Sequence, residues 1–364
     1  MNQYIGDGAV QRYMTAQEVA DELGISRATV YAYVSRGLLR SEAVGSSKRT
    51  RRYYREDVER LRQRQEQRHH PEKAAEAALH FGAPLLESGL TLIADGRLYY
   101  RGQDVLELAQ RRSIEQVAAL LWAGDLHAEV PGLTGDENHL PLRWQLIGDA
   151  LAEAPAFERF QVLLPLAALD DLSAYDLRPA NVMRTGGRIL RLLAATASYR
   201  PQATGSIASV LQAAWKPDDE KAADLINMAL VLCADHELNV SSFTARCVAS
   251  AGATPYAVVI GGLAALQGAR HGGATERVAA LLREVGTPEK AGSVLASRLR
   301  RGEALPGFGH RLYPDGDPRG RLLLNTIRES YADAEAVRLG DAVIAAAAEL
   351  TGLRPTIDLG LVIL

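Results

Sequence analysis

From about residue 71 onward, apolar residues recur mainly three and four positions apart, and a chain patterned this way must bury those faces by packing helices together. Residues 113–121, 162–169, 222–232 and 342–350 all carry this period. One segment breaks it. Across residues 90–101, Asp95-Gly96 separates Leu92-Ile93 from Leu98-Tyr99, the pattern of a β-hairpin closed by a tight turn. Aromatic residues make up only 6% of the chain while Ala, Leu and Gly abound, which favours close helix packing over aromatic-rich strands. The Ala- and Gly-rich stretch 250–268 lets helices approach closely, whether at a subunit interface or inside a core. The expected fold class is all-α.

The first 70 residues differ from the rest. They hold 13 Lys and Arg against 9 Asp and Glu, whereas the remainder holds 28 against 35. Thr15-Ala16-Gln17-Glu18 is a capping box that starts a helix burying Val19, Ala20 and Leu23. Gly24-Ile25 makes a turn, and Ser26 caps a second helix that carries Val30 and Val34 and ends at Gly37. Two short helices joined by a glycine turn form a helix-turn-helix. Residues 43–54 read as a hairpin wing whose Tyr53 and Tyr54 return to a small core, and a third helix follows Asp57 with Val58 and Leu61 inward. Residues 60–70 suit an exposed helical linker.

Between Arg27 and Arg55 lie eight basic residues and a single acid, Glu42. Phosphate neutralisation is the main source of DNA affinity, so this concentration outweighs the chain's net charge of −3. The head resembles the MerR/excisionase type of winged helix-turn-helix over about residues 12–64. Candidate contacts to double-stranded DNA are Arg27, Thr29, Tyr31 and Arg36 on or beside the second helix, and Lys48, Arg49, Arg51 and Arg52 on the wing. The alternative is a basic helical domain used only for protein contacts.

Two cysteines, Cys233 and Cys247, make no disulfide framework and imply a reducing compartment, where both are expected as buried small side chains. The N-terminal sequence lacks the basic-then-apolar pattern of a secretory signal, and no apolar run approaches the ~20 residues that span a bilayer. The expectation is a cytoplasmic protein without membrane partners.

Three of eight histidines stand in unusual company. His236 lies in Asp-His-Glu-Leu-Asn at the end of an apolar helix. His271 lies in Gly-Ala-Arg-His-Gly-Gly-Ala. His310 lies in Pro-Gly-Phe-Gly-His-Arg-Leu-Tyr, with Asp317-Pro318-Arg319 close behind. Flanking glycines let a second backbone or a ligand come close to an imidazole and contribute little to a core. His69, His70, His80, His127 and His139 carry no such signal.

In this order, and with Ile93-Ala94-Asp95-Gly96, Tyr100-Arg101-Gly102 and Pro355-Thr356-Ile357-Asp358, these strings resemble citrate synthase over about residues 78–364. After the helix-turn-helix domain with its linker over 1–70, the resemblance implies a large helical domain over 71–272 and a smaller one over 273–364. It implies Asp358 as the base that deprotonates acetyl-CoA and His271 as hydrogen-bond donor to the developing enol. His310 would polarise the keto group of oxaloacetate, while His236 and Arg319 would hold its carboxylates. The backbone of Leu305, Pro306, Gly307, Phe308 and Gly309 would contact coenzyme A. No bound cofactor and no metal are implied, acetyl-CoA being a co-substrate, and the family is homodimeric.

The family pattern continues for several dozen residues past the aspartate, with two further arginines, so this chain is expected to be C-terminally shortened. The expected activity is an acyltransferase of the tricarboxylic acid cycle condensing acetyl-CoA with oxaloacetate to citrate and CoA. One alternative is 2-methylcitrate synthase. The other is a transcriptional regulator whose body senses a CoA thioester or oxo-acid, which would need the binding arginine and histidines but no base.

Overall fold

Thr15 sets the start of the first helix: its hydroxyl accepts from the Glu18 amide, and Glu18 reaches back to the Thr15 amide. In this computed structural model the described residues are 13–35, 38–44, 47–55, 57, 58, 61, 62, 88–133, 147, 149–199, 204–269 and 271–364. The chain divides into two compact units, Met1–Leu85 and Leu86–Leu364. The expected boundary at 70/71, Gly37 and all of the linker except residues 61 and 62 lie outside the described residues; those two are helical, and Leu61 is buried in the first unit's core.

In the first unit, β1 (Tyr13–Thr15) leads into α1 (Ala16–Leu23), which ends at Gly24 in the left-handed conformation. The Ser26 hydroxyl accepts from the Thr29 amide at 3.2 Å and opens α2 (Arg27–Ser35). The wing is β2 (Ser41–Val44) and β3 (Ser47–Tyr54), antiparallel. The sequence reading missed β1 as a strand; it pairs with β3, matching Tyr13 to Tyr54, so the wing is the larger part of a three-stranded sheet. Met14, Val19, Ala20, Leu23, Val30, Leu39, Tyr53, Val58 and Leu61 form the core.

Asp57 corrects another expectation. It does not precede the third helix but is itself helical, as are residues 55, 58, 61 and 62. Its buried carboxylate is occupied by Arg40, whose amide, Nε and Nη2 all donate to it at 2.9–3.0 Å. That fork ties the strand-leading residue to the helix.

The second unit opens with the expected hairpin, β4 (Thr91–Ala94) against β5 (Arg97–Tyr100), with Asp95 and Gly96 both at positive φ and a short β6 (Gln103–Asp104) beside it. Helices succeed it: α3 (Val105–Arg111), α4 (Ile114–Ala123), α5 (Ala156–Asp170), α6 (Pro179–Ser198), α7 (Ile207–Trp215) and α8 (Ala222–Leu232). Then come α9 (Val240–Ser250), α10 (Pro255–Leu266), α11 (Gly273–Val285), α12 (Ala291–Arg300), α13 (Pro318–Ser330), α14 (Glu335–Thr351) and α15 (Ile357–Ile363). One apolar cluster runs from Leu98 to Ile363, so hairpin, early helices and α15 share a core. Among the described residues no helix is long and apolar enough to cross a membrane.

The packing of α13 on α15 sets the positions of Arg319 and Asp358, one on each helix. At Gly320 an added Cβ would lie 2.8 Å from both the Thr356 carbonyl carbon and its oxygen, and 2.9 Å from the Ile357 nitrogen. Glycine is required there because backbone meets backbone. Gly320→Ala must push the helices apart, and we expect it to cost about 1–3 kcal/mol. Denaturant unfolding of the two proteins measures this, an unchanged midpoint being the contrary result.

Candidate active site

The apolar helix α8 delivers its C-terminus to a turn, Asp235-His236-Glu237, which the hairpin grips at three points. The Thr91 hydroxyl donates to the Asp235 carboxylate, and the Ile93 amide donates to Glu237 Oε1 at 3.0 Å. The buried Tyr100 oxygen accepts from the Asp235 amide at 3.1 Å and lies 2.9 Å from the Asp235 carbonyl and 3.1 Å from that of Val231. These bonds hold Glu237 at φ 54°, a left-handed value uncommon for a residue with a side chain. Burial raises the pKa of both acids flanking His236, although the hydroxyl and amide donors work against it. Asn239 then caps α9, its Oδ1 accepting from the Ser242 amide and the Ser241 hydroxyl.

The segment around His310 is laid beside the approach to α15. Gly307 and Gly309 are at φ 84° and 77°. The Gly309 amide donates to the Arg354 carbonyl at 2.9 Å, the Thr356 amide donates to the Gly307 carbonyl at 2.8 Å, and Phe308 bridges Pro355. Leu305 and Phe308 are buried. A Cβ on Gly307 would meet Val278 at 2.9 Å, so close packing as well as φ demands glycine here. These contacts are internal to the protein; they account for the glycines without a ligand.

Asp317 is the N-cap of α13. Its Oδ1 accepts from the Arg319 amide and Nε, both at 3.0 Å, and its Oδ2 from Arg319 Nη2 at 2.8 Å and from the Ile357 amide at 3.2 Å. Both side chains are buried. Burial alone would raise the pKa of Asp317, but the bonds from Arg319 outweigh it and hold the carboxyl low; the same pairing overcomes burial of the guanidinium and holds Arg319 charged.

Four of the expected residues stand around this pair. The imidazoles of His236 and His310 meet edge to face, with ring centroids 5.4 Å apart. Tyr313 touches both rings, and Arg319 lies over its face. Asp358 sits in the first turn of α15. In sequence it has the look of an ordinary cap, yet its two oxygens are held by the Thr275 hydroxyl at 3.0 Å and the Thr356 hydroxyl at 2.9 Å. His271 Nε2 lies 2.9 Å from the Ser241 hydroxyl, on the helix next along the chain from His236. The Asp358 charge is felt at both His271 and His310.

All three imidazoles are shifted toward neutrality. Burial lowers His236 to about 3, with Arg319 and His310 adding to the effect. Burial also lowers His271, against the pull of Asp358, and lowers His310, against Asp317. Near pH 7 the site therefore presents uncharged imidazoles, each with one ring nitrogen to donate and one to accept, beside the Arg319–Asp317 pair and Asp358. Among the described residues no group of three or more His, Cys, Asp or Glu could hold a metal ion.

Sequence reasoning overlooked Tyr313, Asp317, Ser241, Thr275 and Thr356. Asp317 and Thr356 had a signal in their spacing, each two residues before a singled-out side chain. Thr275, an ordinary helical position, had none. The cysteines correct an expectation, since both are exposed. Cys247 lies on α9, which buries no residue. Cys233 opens onto an apolar cavity of about 430 Å³ lined by Ile114, Trp122, Leu190, Leu211 and Trp215 among others. Loss of water around the thiol pushes it up to about 11.

In the first unit, Arg27, Tyr31, Arg51 and Arg52 are exposed, while Tyr53, next in β3, is buried. The Thr29 hydroxyl is 2.9 Å from that of Ser26. Lys48 and Arg49 lie on β3, while Arg36 is outside the described residues.

Comparison with known proteins accounts for both units. Residues 80–364 match the family model "Citrate synthase, C-terminal domain", and residues 13–66 match "Helix-turn-helix domain". Citrate synthase 2 of Bacillus subtilis is 31% identical over 269 residues, covering 66% of this chain and 70% of that protein. The 2-methylcitrate synthase of Shewanella oneidensis is 29% identical over 286 residues, covering 66% and 69%. Among solved structures, citrate synthase from Thermotoga maritima superposes with a TM-score of 0.64 at 23% identity, covering 78% of this chain and 82% of that one. The enzyme from Pyrobaculum aerophilum gives 0.66 at 22%, covering 76% and 79%. A helical body with the same fold and a family match across residues 80–364 leave one assignment: the chain belongs to the citrate synthase family and carries a helix-turn-helix domain ahead of it.

Proposed function

We propose that the body condenses acetyl-CoA with oxaloacetate to give citrate and free CoA, and that the head binds double-stranded DNA. The observation that carries the first part is the packing of His236 and His310 about Tyr313 and Arg319, whose buried partner Asp317 also accepts from the first amide of the helix that holds Asp358. In this reading Asp358 takes a proton from the acetyl methyl group while His271 donates a hydrogen bond to the thioester oxygen. The carbon so freed attacks the keto carbon of oxaloacetate. His310 donates to the keto oxygen as it becomes an alkoxide, and His236 and Arg319 hold the carboxylates, a task that suits a rigid guanidinium fork. Water then cleaves the thioester and releases CoA. The backbone of residues 305–309, brought beside Asp358 by its bonds to residues 354–356, is where we expect coenzyme A to run.

Two variants of this reading have support of their own. The Shewanella relative is named a 2-methylcitrate synthase, so a propionyl thioester is the alternative acyl donor. The helix-turn-helix match supports a regulator whose body senses a thioester or oxo-acid. Asp358, held by two threonine hydroxyls, argues for chemistry, because a sensor has no use for a base. The α9–α10 hairpin supports a homodimer: α9 buries nothing and α10, though apolar throughout, buries only Tyr256, which suits cover by a second copy.

Three outcomes are expected. Asp358→Asn lowers CoA release by at least about 100-fold, the scale of a general base, while calorimetry finds oxaloacetate binding nearly unchanged; retained turnover would assign proton removal elsewhere. Because the native chain keeps His236 neutral and the unfolded chain does not, the unfolded state binds more protons between pH 6.5 and about 3. Stability is therefore lost as pH falls through that window, by up to about 1.4 kcal/mol per pH unit, and His236→Gln should flatten the slope in denaturation series at pH 7.5 and 5.5. Replacing Arg51 and Arg52 together by Ala should weaken duplex binding in gel shifts and reduce its salt slope by roughly two. Equal retardation of wild type and variant at every salt concentration removes the phosphate-contact role.

A further inference from the structure

Tyr313 is almost wholly buried, and yet it touches His236, His310 and Arg319, the three side chains proposed to hold the oxo-acid. Its hydroxyl lies 3.0 Å from His236 Nε2. Its ring stands 4.9 Å from the His310 ring at an interplanar angle of 38°. The central carbon of the Arg319 guanidinium lies 5.5 Å from its centroid, within the range where a cation is drawn to an aromatic face. Backbone bonds pin it as well: its amide donates to the His310 carbonyl at 3.1 Å and its carbonyl accepts from Gly316 at 3.0 Å.

The hydroxyl decides which way the hydrogen bond runs. Burial holds the phenol well above its usual range, so it keeps its proton. Among the described residues His236 is its only hydrogen-bond partner. A phenol that merely accepted from Nε2 would leave its own O–H unpaired in a buried place, which proteins rarely tolerate. The favourable arrangement has O–H donating to Nε2. Neutral imidazole carries a single ring proton, so Nδ1 must then bear it.

We propose that Tyr313 is a positioning residue: by donating to Nε2 it fixes His236 as the Nδ1–H tautomer, and by its ring it holds His310 and Arg319 in register with that donor. Specificity for an anionic oxo-acid then comes from a chain of contacts in which one phenol orients an uncharged donor and a cation together. This rests on the reading of His236, His310 and Arg319 as oxo-acid ligands, but its tautomer claim stands on the ligand-free protein alone.

The test begins without substrate. Long-range nitrogen–proton NMR of the full chain, with His236 assigned by its loss in His236→Asn, should find Nε2 unprotonated and Nδ1 protonated. Protonated Nε2 in the wild type overturns the proposal whether or not any variant folds. Tyr313→Phe keeps the ring and removes the donor. It should give a mixture of His236 tautomers, weaken oxaloacetate binding in calorimetry about tenfold, and raise KM for oxaloacetate by more than it lowers kcat. Tyr331→Phe, which removes a hydroxyl bonded to Asp219, serves as the control and should move none of these. Unchanged tautomer and affinity in Tyr313→Phe would refute the positioning role. A wild type that neither binds oxaloacetate nor releases CoA would sink the citrate synthase reading while leaving the tautomer result to be read on its own.

Discussion

The second unit turns on one buried carboxylate. Asp317 uses all its accepting capacity on two elements, a guanidinium fork from its own helix and the first amide of α15. A buried ion pair is costly to desolvate and is maintained only where further hydrogen bonds complete it. Here the completing bond comes from forty residues away, and it converts a local pair into the joint between α13 and α15. Gly320 lets those two backbones approach closely enough for the joint to form. The carboxylate of Asp358 and the cation of Arg319 are thereby set by the same few atoms.

Charge is distributed sparingly around that joint. Three imidazoles near a permanent cation would repel one another if protonated, and burial removes the conflict by keeping them neutral. What remains is a set of hydrogen-bonding groups of fixed orientation with a single uncompensated function each. Hydroxyls do most of the orienting: Ser241 at His271, Thr275 and Thr356 at Asp358, Tyr313 at His236. Neutral partners of this kind fix geometry without shifting the charge balance.

Helical periodicity and the Asp95-Gly96 turn made the architecture of the second unit legible, because both are local signals read over a few residues. His236, His271, His310, Arg319 and Asp358 were legible through glycine, proline and acid neighbours in a fixed order. The supporting residues were not. Thr275 is an ordinary helical residue in sequence, and only folding brings it to the side chain it holds. Strand β1 was hidden because three residues carry too little period to register, and its partner β3 lies some forty positions on. Asp57 was read as lying ahead of the third helix because its partner Arg40, seventeen residues back, leaves no local signal. The cysteines misled for a similar reason: small apolar side chains usually lie inside, and neither the open face of α9 nor the cavity beside α8 has a signature in the sequence.

The grip of the hairpin on the His236 turn spans 144 residues in each of its two side-chain bonds. A ribosome delivers the chain from its N-terminus, so β4 and β5 emerge long before Asp235 and Glu237 exist to receive them. Until then Thr91 and the Ile93 amide must be satisfied by water, and closing so long a loop carries an entropic penalty that no local contact offsets. The turn can lock only after α8 has been made, and the Ile357 amide arrives later still. Every residue of the outer brace is thus synthesised before the carboxylate joint can form.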